Sequence, residues 1–265
     1  MENIEQALER LRAQQGADPQ KVKANTRGRA EPAAARSRAL NSALLQSNRI
    51  ISHVIADPRS RSFDMLRTQI LQSMDTKDWR VLAVTSPTPN CGKTVVALNL
   101  AISVARQPER SALVVDLDFQ RPKVATALGL GSANDGVLSV LNGEATLQSA
   151  VLRARIGEQL VEVLPTASTI NSSEMMASRQ LAAMISDLRK EYHRRIIILD
   201  LPPVLVSDDV ITILPKVDCV LMVAAVGVST VAEIEECARH LQLSEVVRVV
   251  LNKVPEQQTN YNYYY

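Results

Sequence analysis

From Arg80 onward, short runs of β-branched and aliphatic residues alternate with longer segments of helical periodicity, and no other feature constrains the fold as much. The runs fall at 81–84, 112–115, 160–164, 195–199, 220–224 and 246–251, with helices predicted to fill much of 94–107, 136–142, 174–191, 207–214 and 230–243. A strand that is apolar at nearly every position leaves no face for water, so it belongs in a parallel sheet covered by helices. The fold class is therefore α/β, a mostly parallel central sheet flanked by helices. A chain of 265 residues with 46% hydrophobic content can bury one such core and leave a tail or linker over. No internal repeat is visible.

Three segments follow from composition: 1–48, 49–255 and 256–265. In the first, Ile4, Leu8 and Leu11 recur at helical spacing, so residues 2–14 read either as an amphipathic docking helix or as a marginal helix on a frayed end. From Gly16 to about Asn48 the chain is poor in large apolar residues and carries Lys21, Lys23, Arg27, Arg29, Arg36 and Arg38 against Asp18 and Glu31. That composition describes a flexible basic linker, solvated or drawn to an anionic membrane face. The last ten residues are polar, lack apolar periodicity and hold four of the chain's five tyrosines, Tyr261, Tyr263, Tyr264 and Tyr265, which describes a flexible tail.

Basic residues number 30 and acidic residues 28, so charge balance gives no reason to expect a nucleic-acid partner. The longest uncharged apolar run, 219–228, is about half the ~20 residues a membrane-spanning helix needs, and its valines suit a buried strand. The start has no basic head leading into an apolar segment, so no export signal is expected and the location is expected to be cytoplasmic. Cys91, Cys219 and Cys237 lack metal-ligand spacing and are expected as free thiols.

Chemistry concentrates at three strand ends. Ser86-Pro87-Thr88-Pro89-Asn90-Cys91-Gly92-Lys93-Thr94 follows the first core strand and leads into an apolar helix, which places Gly-Lys-Thr at a strand-to-helix turn. A helix N-terminus presents unpaired amides to phosphate, lysine adds a point charge, and the threonine hydroxyl suits Mg²⁺. Nucleotide contacts are expected from Pro89, Asn90, Cys91, Gly92, Lys93, Thr94 and Val95. Pro87 stands where the first glycine of a full phosphate loop belongs, and Asn90 occupies a turn position where its tolerance of positive φ lets the loop close. Asp116 and Asp118 end the second strand and Asp200 ends the 195–199 run before Pro202 and Pro203. Each lies at the C-terminal edge where α/β sheets bind ligands. A strand-end turn capped by aspartate is the alternative reading of each.

These residues resemble the bacterial tyrosine kinases of polysaccharide export loci, which descend from P-loop partitioning ATPases. The resemblance covers about 60–265. Lys93 and Thr94 fall on the family's Walker A, Asp116 and Asp118 on its second acidic box, Asp200 on its Walker B Asp-x-Pro-Pro, and Tyr261 to Tyr265 on its tyrosine cluster. The stretch 1–14 is similar to the soluble, exosortase-associated branch, whose membrane partner is a separate chain-length determinant (polysaccharide co-polymerase) protein. The resemblance implies an ATP- and Mg²⁺-dependent tyrosine autokinase acting on its own tail, a homo-oligomer, recruitment to the inner face of the plasma membrane, and a cognate tyrosine phosphatase. Lys93 and the loop amides would hold the β- and γ-phosphates, and Thr94 would ligate Mg²⁺. Asp200 and the acidic box at Asp116 would hold the metal, Asp200 through water. Asp116 or Asp118 would take the phenolic proton, and Asn252 would contact the base or merely end a strand.

Arg61, Asp64 and Arg67 fall on the family's ring-forming Glu-x-x-Arg-x-x-Arg, with the first two signs reversed. Either the pairing is re-coded on both partners, or ring formation is weak, or the residues form a surface helix with an i, i+3 ion pair. Gln120 stands where the family's acidic box has arginine, and Arg121 would supply that charge one position later. Two other classes remain open. One is a partitioning ATPase, although Thr88 replaces its signature lysine. The other is a nucleotide-binding scaffold of weak catalysis, favoured by Asn90 and Gln120.

Overall fold

The computed structural model describes residues 37–131, 135–167, 173–191, 195–242 and 244–255. Among them, eight strands form one sheet: β1 (Arg38–Ala39), β2 (Val81–Thr85), β3 (Ser111–Asp116), β4 (Leu152–Ile156), β5 (Gln159–Leu164), β6 (Arg195–Asp200), β7 (Cys219–Ala225) and β8 (Glu245–Asn252). Their order is β1-β4-β5-β3-β6-β2-β7-β8. From β5 to β8 all neighbours are parallel; β4 runs antiparallel to β5, and β1 parallel to β4.

Period-two alternation divides each central strand between two cores. Leu82, Val84, Ala112, Val114, Ile196, Ile198, Leu221 and Val223 face one side, while Val81, Ala83, Leu113, Val115, Ile197, Leu199, Val220 and Met222 face the other. The first side is covered by α1 (Ser42–Ser47), α2 (Ser60–Thr76), α3 (Lys93–Ala105) and α4 (Val124–Leu128). The second is covered by α5 (Val137–Leu141), α6 (Leu147–Ala150), α7 (Ser173–Met176), α8 (Arg179–Glu191), α9 (Asp209–Ile213) and α10 (Val231–His240). Helix α3 is apolar on almost every side because it lies between the sheet and α2, as befits an interior helix.

The six expected strands are all present, most one residue longer at one or both ends. The helix expected over 174–191 is two helices, because Ser178 accepts a bond from Leu181 N at 3.1 Å and starts a new one. Strand β4 was not read from the sequence, although Leu152, Ala154 and Ile156 alternate with Arg153 and Arg155. Gly157, at φ +60°, turns the chain back into β5.

The expectation of a linker reaching Asn48 needs correction over 37–48, where β1 and α1 are built onto the core. Leu45 is fully buried, Arg38 donates to Leu130 O at 2.6 Å, and Asn48 Nδ2 donates to Ala127 O at 2.9 Å. These partners lie 79 to 92 residues away in sequence, so local composition carried no sign of them. Residues 2–14, most of the basic segment and the tyrosine tail lie outside the described residues. Among the described residues no helix is long and apolar enough to cross a membrane, and the three cysteines are buried free thiols.

Candidate active site

The sheet order sets β2 between β6 and β7, with β3 beyond β6, so the C-terminal ends of β2, β3 and β6 meet at one edge. Asp116 and Asp200 are register partners on adjacent strands, and the loop after β2 delivers Lys93 to the same place. That loop is pinned from below: Val204 N donates to Ser86 O at 2.8 Å, Leu205 N to Pro87 O at 3.1 Å, and Thr85 Oγ1 to Pro202 O at 2.7 Å.

Two backbone positions let the loop turn into α3. Asn90 sits at φ +66° and Gly92 at φ +94°. A side chain at Gly92 would collide with Asn252, whose Nδ2 occupies the space a Cβ would need. Asn252 itself donates to Cys91 O at 2.9 Å, so the end of β8 buttresses the loop. Asn252, expected to contact the base or to end a strand, does end β8. Cys91 turns its thiol inward, donating to Thr88 O at 3.2 Å, while its carbonyl meets Asn252.

Lys93 is the centre of charge. Its Nζ lies 2.6 Å from Asp118 Oδ2 and 3.9 Å from Asp200 Oδ1. Thr94 donates its hydroxyl to Asp200 Oδ2 at 2.6 Å. Burial alone would lower the Lys93 ammonium, but the carboxylates of Asp200 and Asp118 outweigh it and hold the group above its usual range. Burial, reinforced by the nearby Asp200 charge, pushes Asp116 up to about 8, against hydrogen bonds from the backbone. Burial also raises Asp200, opposed by Lys93 and the Thr94 hydroxyl. Three buried carboxyl groups thus gather around one lysine, and a cation bound there would displace the proton that burial keeps on Asp116.

The two aspartates after β3 differ in what they face. Asp116 Oδ2 accepts from Lys123 N at 3.0 Å and Val124 N at 2.9 Å, tying down the start of α4. Asp118 accepts from Arg121 N through Oδ1 and from Lys93 through Oδ2, and it lines the open cleft. Between the two, Asp118 is the carboxylate presented to a ligand. The cleft holds about 450 Å³ and is also lined by Pro89, Asn90, Gly92, Lys93, Thr94 and Val95, as expected, with the exposed Arg121 on its rim. Lys123, Lys253, Pro202, Pro203 and Val206 line it too and were not singled out as cleft residues from the sequence. Pro202 and Pro203 carried the signal of the Asp-x-Pro-Pro pattern, and Lys123, Lys253 and Val206 only that of lying within six residues of an expected site residue.

Mg²⁺ keeps several waters and asks for few protein ligands, so a closed cage is not needed. Among the described residues no group of three or more His, Cys, Asp or Glu has such a cage geometry. The site fits a part-hydrated ion in another way: Asp200 Oδ1 is buried without a hydrogen bond, close to the Thr94 hydroxyl. Arg61, Asp64 and Arg67 lie apart from this cleft, on α2. Asp64 Oδ1 accepts from Arg67 at 3.0 Å, Ser103 Oγ at 2.6 Å and Arg106 at 3.1 Å, so Asp64 and Arg67 join α2 to α3 within the chain. The ion-pair reading is the one these residues show, and Arg61 is exposed.

A phosphate loop, an aspartate-ended β6 and a parallel sheet define a nucleotide-binding P-loop domain, and the chain belongs to the CobQ/CobB/MinD/ParA nucleotide binding domain family, whose model matches residues 82–264. Within that breadth it is similar to named tyrosine kinases. It is 27% identical over 202 residues to tyrosine-protein kinase wzc of Salmonella typhimurium, a match covering 75% of this chain and 27% of that protein. It is 29% identical over 177 residues to tyrosine-protein kinase CpsD of Streptococcus pneumoniae serotype 4, covering 66% of this chain and 76% of the relative. The kinase domain of Escherichia coli tyrosine kinase ETK superposes with a TM-score of 0.70 at 25% identity, over 82% of this chain and 84% of that one. The chain thus spans about a quarter of the length of relatives such as wzc.

Proposed function

We propose that the chain is an ATP-dependent protein-tyrosine autokinase that phosphorylates its C-terminal cluster, Tyr261, Tyr263, Tyr264 and Tyr265, in trans between subunits. In this reading it regulates exopolysaccharide polymerisation and export beside a membrane chain-length determinant protein, and a tyrosine phosphatase returns the tail to its unmodified form. The observation that carries the reading is Lys93 held between Asp118 and Asp200 at the start of α3. The kinase names of the relatives and of the ETK domain support it.

Phosphoryl transfer asks the protein for position and charge more than for covalent chemistry. The loop amides and the N-terminus of α3 cradle the phosphates, and Lys93 exchanges its bond with Asp118 for one with a phosphate oxygen. That exchange frees Asp118 Oδ2 at the cleft, while Oδ1 keeps its bond from Arg121 N. A phenol with a pKa of about 10 keeps its proton at neutral pH, so Asp118 is the group that accepts it as the tyrosine oxygen attacks. Mg²⁺, when bound, would neutralise charge on the phosphate oxygens, with Thr94 holding it directly and Asp200 through water; the buried Asp200 Oδ1, which makes no hydrogen bond, supports this. Arg121, exposed on the rim, meets the transferring phosphate in place of an arginine at position 120.

Transfer between subunits is tested by mixing. A Lys93→Met chain with an intact tail is incubated with ATP, Mg²⁺ and a chain in which the four tail tyrosines are phenylalanine. Phosphate is expected on the Lys93→Met tail, and each chain alone is expected to stay unmodified. Phosphate absent from the mixture, with wild type modified, would show transfer within one subunit.

A further inference from the structure

Beside the nucleotide cleft, the open edge of β8 and the flank of α2 enclose a second groove of about 880 Å³. Its floor is apolar and poorly covered: Met65 is 65% exposed, Val249 52%, Leu251 58% and Val254 56%. Arg49, Arg59, Arg248 and Lys253 also line it, and no aspartate or glutamate does. Arg59 is paired with Asp57 and Arg248 bonds Gln69, whereas the Arg49 and Lys253 side chains make no ion pair among the described residues. An apolar trough under several cations fits a ligand that combines large flat side chains with negative charge.

We infer that this groove is a docking site for the chain's own tail, residues 256–265, once its tyrosines carry phosphate. The inference rests on the autokinase reading for the source of the phosphate. The tail leaves from Pro255, next to Val254 at the end of the groove. Ten residues reach about 33 Å when extended, and Arg248 lies four residues back along β8 from its last residue, Asn252, about 13 Å. A tail that turns back along the β8 edge therefore reaches Arg248. An edge strand has unpaired backbone groups for an added strand, and alternate side chains of such a strand share one side, which would group Tyr261, Tyr263 and Tyr265. Tyrosine rings match the apolar floor, and phosphates match Arg49 and Arg248. Docking there takes a modified tail out of reach of a neighbour's cleft and leaves that cleft for an unmodified one.

The test uses the full chain with Tyr261, Tyr263, Tyr264 and Tyr265 replaced by phenylalanine, so that its own tail cannot acquire phosphate and compete. A fluorescent synthetic peptide spanning 254–265 is supplied with and without phosphate on Tyr261, Tyr263 and Tyr265, and binding is read by anisotropy. The phosphorylated peptide is expected to bind at least tenfold more tightly, to weaken with salt, and to lose at least tenfold with Arg49→Gln plus Arg248→Gln. Retained nucleotide binding shows that this double variant is folded. Arg121→Gln, on the nucleotide cleft, is expected to leave peptide binding unchanged. Equal binding of the two peptides would overturn the proposal, as would loss in Arg121→Gln with no loss in the double variant. A change in self-association of the double variant without a change in peptide binding would also overturn it, assigning the groove to a second copy. Because the phosphate is synthetic, failure of the autokinase reading would appear separately, as a wild-type tail that stays unmodified with ATP.

Discussion

Lys93, Thr94, Asp118 and Asp200 were legible because each falls in a short local pattern at a strand end, where spacing alone places it on the ligand edge. What spacing could not decide was the division of labour between Asp116 and Asp118. Two residues apart on an extended chain they look alike, yet one bonds the start of α4 and the other Lys93. Asn252 was legible as a candidate but not in its bond to Cys91, which depends on β8 returning beside the loop from 161 residues away. That bond makes Gly92 a sharp test. Gly92→Ala places a methyl where the Asn252 amide stands and asks alanine to hold a strongly positive φ. The variant is expected to lose at least tenfold in ATP affinity by calorimetry while keeping its helical circular dichroism. Unchanged affinity would mean that the loop is not held in this conformation when nucleotide binds.

At the scale of elements, the strands that build the ligand edge were read correctly because burial on both faces writes itself into uninterrupted apolar runs. The segment 37–48 was misread because its order comes from the burial of Leu45 and from distant partners, Leu130 O for Arg38 and Ala127 O for Asn48, and the residues that follow it are held from a distance too. Asn99, fully buried in α3, accepts from Ile51 N at 2.8 Å and Ser52 N at 2.9 Å and donates to Arg49 O at 2.9 Å. It clamps the entering chain onto the helix whose first residue is Lys93. Asn99→Ala would strand two buried donors and an acceptor, with an expected loss of about 2–4 kcal/mol in urea unfolding. A loss below about 0.5 kcal/mol would show that the segment is fastened elsewhere.

Over the whole molecule, the buried carboxylates make stability depend on pH in a direction that can be worked out. A folded-state Asp116 that titrates at about 8, against the usual 3.8, keeps a proton that the unfolded chain has already lost. Between about pH 4 and pH 8 the folded state therefore binds more protons, and stability falls as pH rises. The slope from one such group is at most about 1.4 kcal/mol per pH unit. Above about 8 its contribution levels off. Asp116→Asn is expected to flatten the fall of the urea midpoint across this window in nucleotide-free protein, and an unaltered slope would show that Asp116 is ionised throughout. Burial raises Asp200 as well, so part of the slope is expected to persist in the variant. Such a cluster, costly without a ligand, gives nucleotide and metal binding a stabilising effect on the fold.

The central claim is that Lys93 and its carboxylates move phosphate onto the tail tyrosines. The most direct measurement is intact-mass and peptide mass spectrometry of the chain after incubation with ATP and Mg²⁺, with Lys93→Met beside it. Added phosphates confined to Tyr261, Tyr263, Tyr264 and Tyr265, and absent from Lys93→Met, are the expected result. A wild-type chain that binds ATP yet gains no mass would contradict the claim and leave the site as a nucleotide-binding switch or an ATPase.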